Sequence, residues 1–470
     1  MEIKRILAFI LAAVMLLSVF GCAKKDKNGD ADGDSATDSP AAVWSETTVV
    51  TENMFTYFYN AYYRYYLETY SQSLTSIGLD PSKSLASQKQ SEEYTWQQYI
   101  TIQVYKQLRE MIALADSAKA EDFKLTEDDK KAVDAEMESF DKIAKDAGFE
   151  TTDKYLEAAY GKGVNVSVVR KATELRILAN RYYQKLWDGY TFTDEECEAR
   201  YNEQRDSFIH YDYIKITVTE EESERLVEAA DEESFVAVIR EIITNNNFIG
   251  DYDRFSDKIE EQVKNKYHYR ADYDPNYEVS KWAVEEGRAP YDIHTKTEST
   301  GNVTVSMILP TTDPGAINEV IYRDDVPLKN LMYMVFADSE GTDGITKAQS
   351  IYKNWQENPT EKRFEELYEK YDGGKAENVT KGAFNEAVNA WVFAEERKAG
   401  DCEIIEADGG AYLLYMLEDG EPSWLAEVKA SLREEAYAAD MEKILDKYPT
   451  EYNGDFIYNI VEVSVTDNSN

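Results

Sequence analysis

Two stretches of this chain repeat one another. "VSKWAVEEGRAPYD" runs from Val279 to Asp292 and "VNAWVFAEERKAGD" from Val388 to Asp401. At one constant offset Trp282 falls on Trp391, Arg288 on Arg397 and Asp292 on Asp401. The same offset continues to Gly301/Gly410 and Met307/Met416. A match held in register that far implies two copies of one folded module. Each copy opens on a strand-like alternation, "YDYIKITV" in the first and "LMYMVFA" in the second. Helical segments follow, "ESERLVEAADEESFVAVIREIITNN" and "ITKAQSIYKNWQENPTEKRFEELYEKY". The closing strands carry Val303, Val305 and Met307 in one copy and Tyr412, Leu414 and Met416 in the other. The module therefore reads strand, helix, variable middle, Trp segment, strand, which is an α+β arrangement. The first copy has the longer middle.

Ahead of the repeat, the period from Glu52 to about Phe208 is helical. Phe55, Tyr59, Tyr62, Tyr66 and Tyr70, joined by Phe58, recur at helical spacing and mark one face. That face is read as core, with a client-binding aromatic surface as the alternative. Thr126 begins a further helix with acids in its first turn, and Gly148 stops it. Thr193 and Glu196 have the spacing of a capping box. After the second copy, "SWLAEVKASLREEAYAADMEKILDKY" is amphipathic, and "DFIYNIVEV" reads as a last short strand.

The first residues carry a different signal. Lys4 and Arg5 precede an apolar run from Ile6 to Phe20, then Gly21-Cys22. This has the length and flanks of a secretion signal rather than of a membrane span. Gly-Cys at its end resembles a lipobox, with Cys22 as the lipidated residue. The polar Gly/Asp/Ser segment to residue 43 reads as a disordered tether. The remaining roughly 425 residues suffice for about three domains. The formal charge of −40 disfavours nucleic acid and anionic lipid surfaces as partners. Hydrophobic residues make up 43% of the chain, which permits real cores. Cys197 and Cys402 stand far apart, and His210, His268 and His294 are scattered, so neither a disulfide framework nor a metal site is expected. No cofactor is expected either.

In this order, several stretches resemble the PrsA/SurA family of extracytoplasmic foldases, in which parvulin-type prolyl isomerase domains sit beside a helical chaperone domain. "LTEDDKKAVDAEM" and "ETTDKYLEAAYGKGV" resemble the helical domain, and "FTDEECEARYNEQRDSFIHYDYIKITV" its exit into a parvulin strand. "KRFEELYEKYDGG", "KGAFNEAVNAWVF", "RKAGD" and "GGAYLLYML" resemble the second half of a parvulin. The resemblance implies an α+β protein: signal 1–21, tether 22–43, helical chaperone domain 44–207, parvulin-like modules 208–323 and 324–423, and a closing helix and strand 424–470 packing on the helical domain. It implies unfolded or nascent secreted polypeptides as partners and the outer face of the cell membrane, through an N-terminal lipid, as the location.

The departures bear on activity. The resemblance expects histidines in the first and last strands, beside a Cys or Asp. Here Tyr213 and Tyr333 stand in the opening strands, and Val303 and Tyr412 in the closing ones. His210 falls on the opposite face of its strand from Tyr213. Asp372, before Gly373-Gly374, occupies the Cys/Asp position or simply a turn. Phe384, Trp391, Phe393 and Met416 are candidate walls of a proline pocket, with Tyr333 and Tyr412 as hydrogen-bonding partners. The recurrence of both Trp residues is read first as core anchoring, and the Arg/Asp pairs as turn-closing salt bridges. Prolyl isomerisation breaks no covalent bond, and its barrier of roughly 18–20 kcal/mol is amide resonance. A site without histidine is thus expected to be weak or inactive. An active isomerase and a transporter's solute-binding lipoprotein are the alternatives. The latter should contain βαβ units with parallel strands. No nucleophilic hydrolase motif is present.

Overall fold

A computed structural model of the chain describes residues 39–71, 73–245, 268–274, 276–338, 343–371, 373–407 and 409–463. The expected signal segment, Cys22 and Asp372 lie outside the described residues. The protein is mixed α+β, and every strand pairing among the described residues is antiparallel. The chain divides into two compact units. One holds the residues up to Thr191 and those from Arg433 on; the other runs from Phe192 to Leu432.

The first unit begins with β1 (Ala41–Trp44) and β2 (Val49–Thr51). Ala41–Val43, expected in the tether, belong instead to β1, and Ala42 and Val43 are fully buried. Backbone pairing on both sides and burial of Ala42 and Val43 order this apolar end of an otherwise polar segment. Then come α1 (Glu52–Thr69), α2 (Trp96–Ala120), α3 (Glu127–Asp146), α4 (Thr152–Tyr160) and α5 (Val166–Gly189). Their starts are encoded locally. Thr51, Thr95, Thr126, Thr151 and Asn165 each cap the helix that follows by accepting from a first-turn N–H. Gly148 ends α3 in the left-handed region, at φ 77°. Phe55, Tyr59 and Tyr63 of α1 are buried in the core. Tyr62, Tyr66 and Tyr70 are half-buried, and Tyr66 packs on Tyr70 (4.5 Å) and Trp96 (5.4 Å).

In the second unit α6 (Asp194–Glu203) has the expected capping box of Thr193 and Glu196. Two similar sheets follow. The first has β3 (His210–Val218), α7 (Glu220–Val227), α8 (Glu232–Asn245), β4 (His268–Asp272), α9 (Glu278–Ala283), β5 (Ile293–Thr297) and β6 (Val303–Ile308). After a short β7 (Ile321–Tyr322), the second has β8 (Lys329–Ala337), α10 (Gly344–Gln356), α11 (Glu361–Lys370), β9 (Gly374–Val379), α12 (Glu386–Val392), β10 (Cys402–Ala407) and β11 (Gly410–Met416). The strand orders are β4-β3-β6-β5 and β9-β8-β11-β10, which is one topology twice, with β7 added beside β3. Each sheet is covered on both faces. Helices α7/α8 and α10/α11 pack on one face, and the Trp-bearing segment packs on the other.

Helix α13 (Ser423–Lys447) follows. Trp424 and Val428 join Cys197, Tyr201 and Phe208 in a small core of the second unit. Tyr437 and Met441, further along, belong to the core of the first unit. β12 (Glu451–Tyr452) pairs with β1. "DFIYNIVEV" is not the expected strand: Gly454–Ile457 form a short helix, α14, because Asn453 caps it by accepting from Phe456 N–H. The residues beyond stay in the first unit. Asn60 Oδ1 accepts from Val463 N–H (2.8 Å), and Thr101 donates to Ile457 O (3.2 Å).

Candidate functional site

The repeat builds the same latch twice. Arg397 Nε donates to Trp391 O (3.0 Å), its guanidinium carbon stands 4.1 Å over the indole, and Nη1 reaches Asp401 Oδ2 at 3.2 Å. For Arg288, Trp282 and Asp292 the corresponding distances are 3.0, 4.3 and 3.1 Å. Both indoles are 9% exposed. The pattern is a turn clamp: the cation stacks on the ring, ties its carbonyl and closes on the carboxylate. These residues hold the module together rather than face a substrate.

Beyond the latch the constant offset fails. Gly400 N–H donates to Met416 O and Met416 N–H to Asp401 O, whereas Tyr291 N–H donates to Ile308 O and Ile308 N–H to Asp292 O. Ile308, not Met307, is therefore the counterpart of Met416. The hairpin of the first copy is one residue longer, and its left-handed Gly301 (φ 85°) matches Gly409 (φ 69°), not Gly410. A slip of one residue turns a side chain to the other face of a sheet. Met307 accordingly lies among the α7/α8 contacts and Met416 on the Trp face. Strand pairing carries the correction further. Tyr213 opposes Ile308 and Leu331 opposes Met416, so the counterpart of Tyr333 is Lys215, not Tyr213, and that of Tyr412 is Thr304, not Val303.

In the second sheet, Tyr333, Tyr412, Phe384, Trp391, Phe393 and Met416 do come together, in one cluster on the Trp face. Met416 (1% exposed) and Trp391 form its floor. Tyr333, Tyr412, Phe384, Phe393 and Ile405 are half-buried above it, and Val335, opposite Tyr412, is 47% exposed. The Tyr333 ring meets Phe384 edge-on, with centroids 6.4 Å apart. It lies against Gly374, where an added Cβ would sit 3.0 Å from the ring. The result is an open aromatic face rather than an enclosed pocket. Such a face can seat apolar or proline side chains and offer hydroxyl partners. Among the described residues the cluster includes no histidine.

The equivalent face of the first sheet differs in chemistry. Lys215 Nζ stands 4.7 Å over the Tyr269 ring. Thr304 bonds Thr217 (2.8 Å) and Glu298 (2.9 Å). His294 packs beside Trp282, with centroids 5.3 Å apart, in β5 rather than in a first or last strand.

His210 has a role that sequence reasoning missed. It is 1% exposed, with Nδ1 3.0 Å from Asp272 Oδ1 and Nε2 3.1 Å from Glu427 Oε2. Burial pulls its pKa down, but hydrogen bonds to both carboxylates outweigh burial and lift it to about 9. The imidazolium thus ties β3 to β4 and to the first turns of α13. Glu427 is far away in sequence and gives no local signal. Burial also raises the pKa of the Cys197 and Cys402 thiols, which leaves both poor nucleophiles. Among the described residues no group of three or more His, Cys, Asp or Glu is placed to hold a metal, and no helix is long and apolar enough to cross a membrane.

The sequence matches no protein-family model and no curated protein.

Proposed function

We propose that this protein is a PrsA/SurA-like extracytoplasmic chaperone, lipid-anchored at Cys22, that holds unfolded secreted polypeptides. In this reading residues 208–323 and 324–423 are parvulin-like modules of weak or absent isomerase activity. Residues 44–207 with 424–470 form the helical chaperone part. The observation that carries the proposal is the open aromatic face of Tyr333, Phe384, Phe393 and Tyr412 over Trp391, on a module the chain contains twice. Aromatic side chains give broad contact area at low rotamer cost, which suits clients of varied sequence. The antiparallel sheets weigh against the solute-binding alternative, which calls for parallel βαβ units. Weak activity follows from the chemistry. A twisted amide needs ordered polar partners, and tyrosine hydroxyls supply hydrogen bonds without histidine's titration. The first module should be the weaker, since Lys215 and Thr304 replace the aromatic pair.

The test pairs two assays on the full chain: suppression of aggregation of a denatured client, and cis-to-trans conversion of a proline tetrapeptide. Aggregation should fall while isomerisation runs roughly ten- to a few-hundredfold below that of a His-bearing parvulin. Unchanged aggregation would overturn the chaperone reading. Full isomerase rates, lost in Tyr412→Phe, would make the tyrosine pair a working site instead.

A further inference from the structure

The aromatic face ends at a sheet edge, and that edge is open. Antiparallel ladders alternate between residue pairs that exchange hydrogen bonds and pairs that do not. In β11, Leu417 N–H donates to Asn330 O on the β8 side, whereas Met416 bonds Gly400 and Asp401 on the β10 side. The even-numbered residues of β11 therefore point their main-chain groups at β10. Their partners there are Glu403, Ile405 and Ala407, opposite Leu414, Tyr412 and Gly410. Cys402, Ile404 and Glu406 must point their N–H and C=O groups away from the sheet. Tyr352 Oη–H caps the Cys402 carbonyl at 3.3 Å. The main-chain groups of Ile404 and Glu406 have no partner among the described residues.

We infer that β10 is a docking edge on which an extended client segment, with lysine or arginine alternating with apolar residues, adds as a further strand. The inference rests on the client-binding reading of the aromatic face and names its substrate class. An added strand at this edge would gain main-chain hydrogen bonds whatever its sequence, and side-chain selection would come from β10. Ile405 lies on the Trp face next to Tyr412, and Ile404 on the helix-covered face, so each side offers one apolar contact. Glu403 and Glu406 are exposed, one on each face. A basic residue on either face of the incoming strand would meet a carboxylate, and an acidic one would be repelled. The chain's net charge of −40 disfavours a second copy as the occupant. The corresponding edge of the first sheet, β5, carries Lys296 where β10 has Ile405. It offers neither the apolar contact nor the right charge.

The probe is a fluorescein-labelled decapeptide of alternating Lys and Val, with two relatives: one with Glu for Lys, and one N-methylated at every second amide. Binding to the full chain is read by fluorescence anisotropy. The Lys peptide should bind at least tenfold more tightly than both relatives. Glu406→Pro removes an outward N–H together with one of the two edge carboxylates, at a position where an edge strand tolerates proline; it should weaken the Lys peptide tenfold or more, and by clearly more than Glu406→Gln, which removes the charge alone, with near-ultraviolet circular dichroism unchanged. Glu403→Lys with Glu406→Lys should reverse the charge preference. Equal affinity for the N-methylated and parent peptides would overturn strand addition without relying on any variant's fold. It would show that the edge charges serve only to keep strands apart. If the chain also fails to suppress client aggregation, the chaperone reading falls too. If it suppresses aggregation, only the docking edge falls.

Discussion

Replacing His210 by Gln should change how the second unit responds to alkali. In the folded chain the imidazole is held between Asp272 and Glu427 and has a pKa of about 9. Unfolded, it returns to about 6.5. A group whose folded pKa is the higher contributes its full stability below the unfolded value and loses it as pH rises through the folded one. The gap corresponds to about 3 kcal/mol. The Asp272 side chain is 83% exposed, so solvent screens one of the two contacts and about 2 kcal/mol is the better expectation. Tyr322 packs on the ring at 5.7 Å, and Arg270 opposes the positive charge. The assay is urea unfolding at pH 6 and pH 10, followed by near-ultraviolet circular dichroism. The native chain should lose about 2 kcal/mol more than His210→Gln over that interval, because lysines and tyrosines that titrate there are common to both proteins. Parallel losses, or an NMR titration of His210 centred near 6.5, would refute the clamp.

Three further outcomes follow from the same contacts. Arg288→Ala and Arg397→Ala should each cost about 1–2 kcal/mol, because the two latches share three contacts, with Arg288→Ala a few tenths higher for its exposed extra pair with Glu285 (2.6 Å); thermal unfolding of each variant checks this. Arg176→Ala should destabilise the first unit by about 1–3 kcal/mol in denaturant titrations, since it leaves Glu136, whose side chain is 10% exposed, with only the hydrogen bond from Thr173 (3.0 Å). Cys22→Ser should move the protein from the membrane fraction to the soluble fraction and abolish incorporation of labelled fatty acid.

The sequence exposed local features and hid relational ones. Helix starts at Thr126 and Thr193 were legible because a capping residue and its target lie within one turn. The Trp–Arg–Asp latch was legible because its contacts span only a few residues and recur. The strand equivalences were not. Both faces of each sheet are covered, so apolar residues follow one another, as Met332, Tyr333 and Met334 do, and hide a slip of one residue. The Gly301/Gly410 and Met307/Met416 coincidences then pointed to the wrong face. β10 escaped notice because "CEIIEA" mixes two acids into a short strand. The clamp of His210 on Glu427 could not be seen, since only the fold brings those two positions together. Of the candidate site, the aromatic cluster was legible only through the family resemblance of its strands and Trp segment, while the separation of floor (Trp391, Met416) from accessible rim required the packing.

The second unit is spliced into the first, and this sets a timetable. Strand β1 finds its β12 partner, Leu85 N–H its Glu462 acceptor and Asn60 its Val463 donor only after residues 433–463 exist. A ribosome finishes the first latched module well before that, and the second directly before it. Contacts so distant along the chain close slowly, and chains of this size fold part by part. The helices up to Thr191 must therefore wait, their tyrosine-rich interior incomplete, until the whole inserted unit has been made. For that interval the growing chain itself exposes unfinished core.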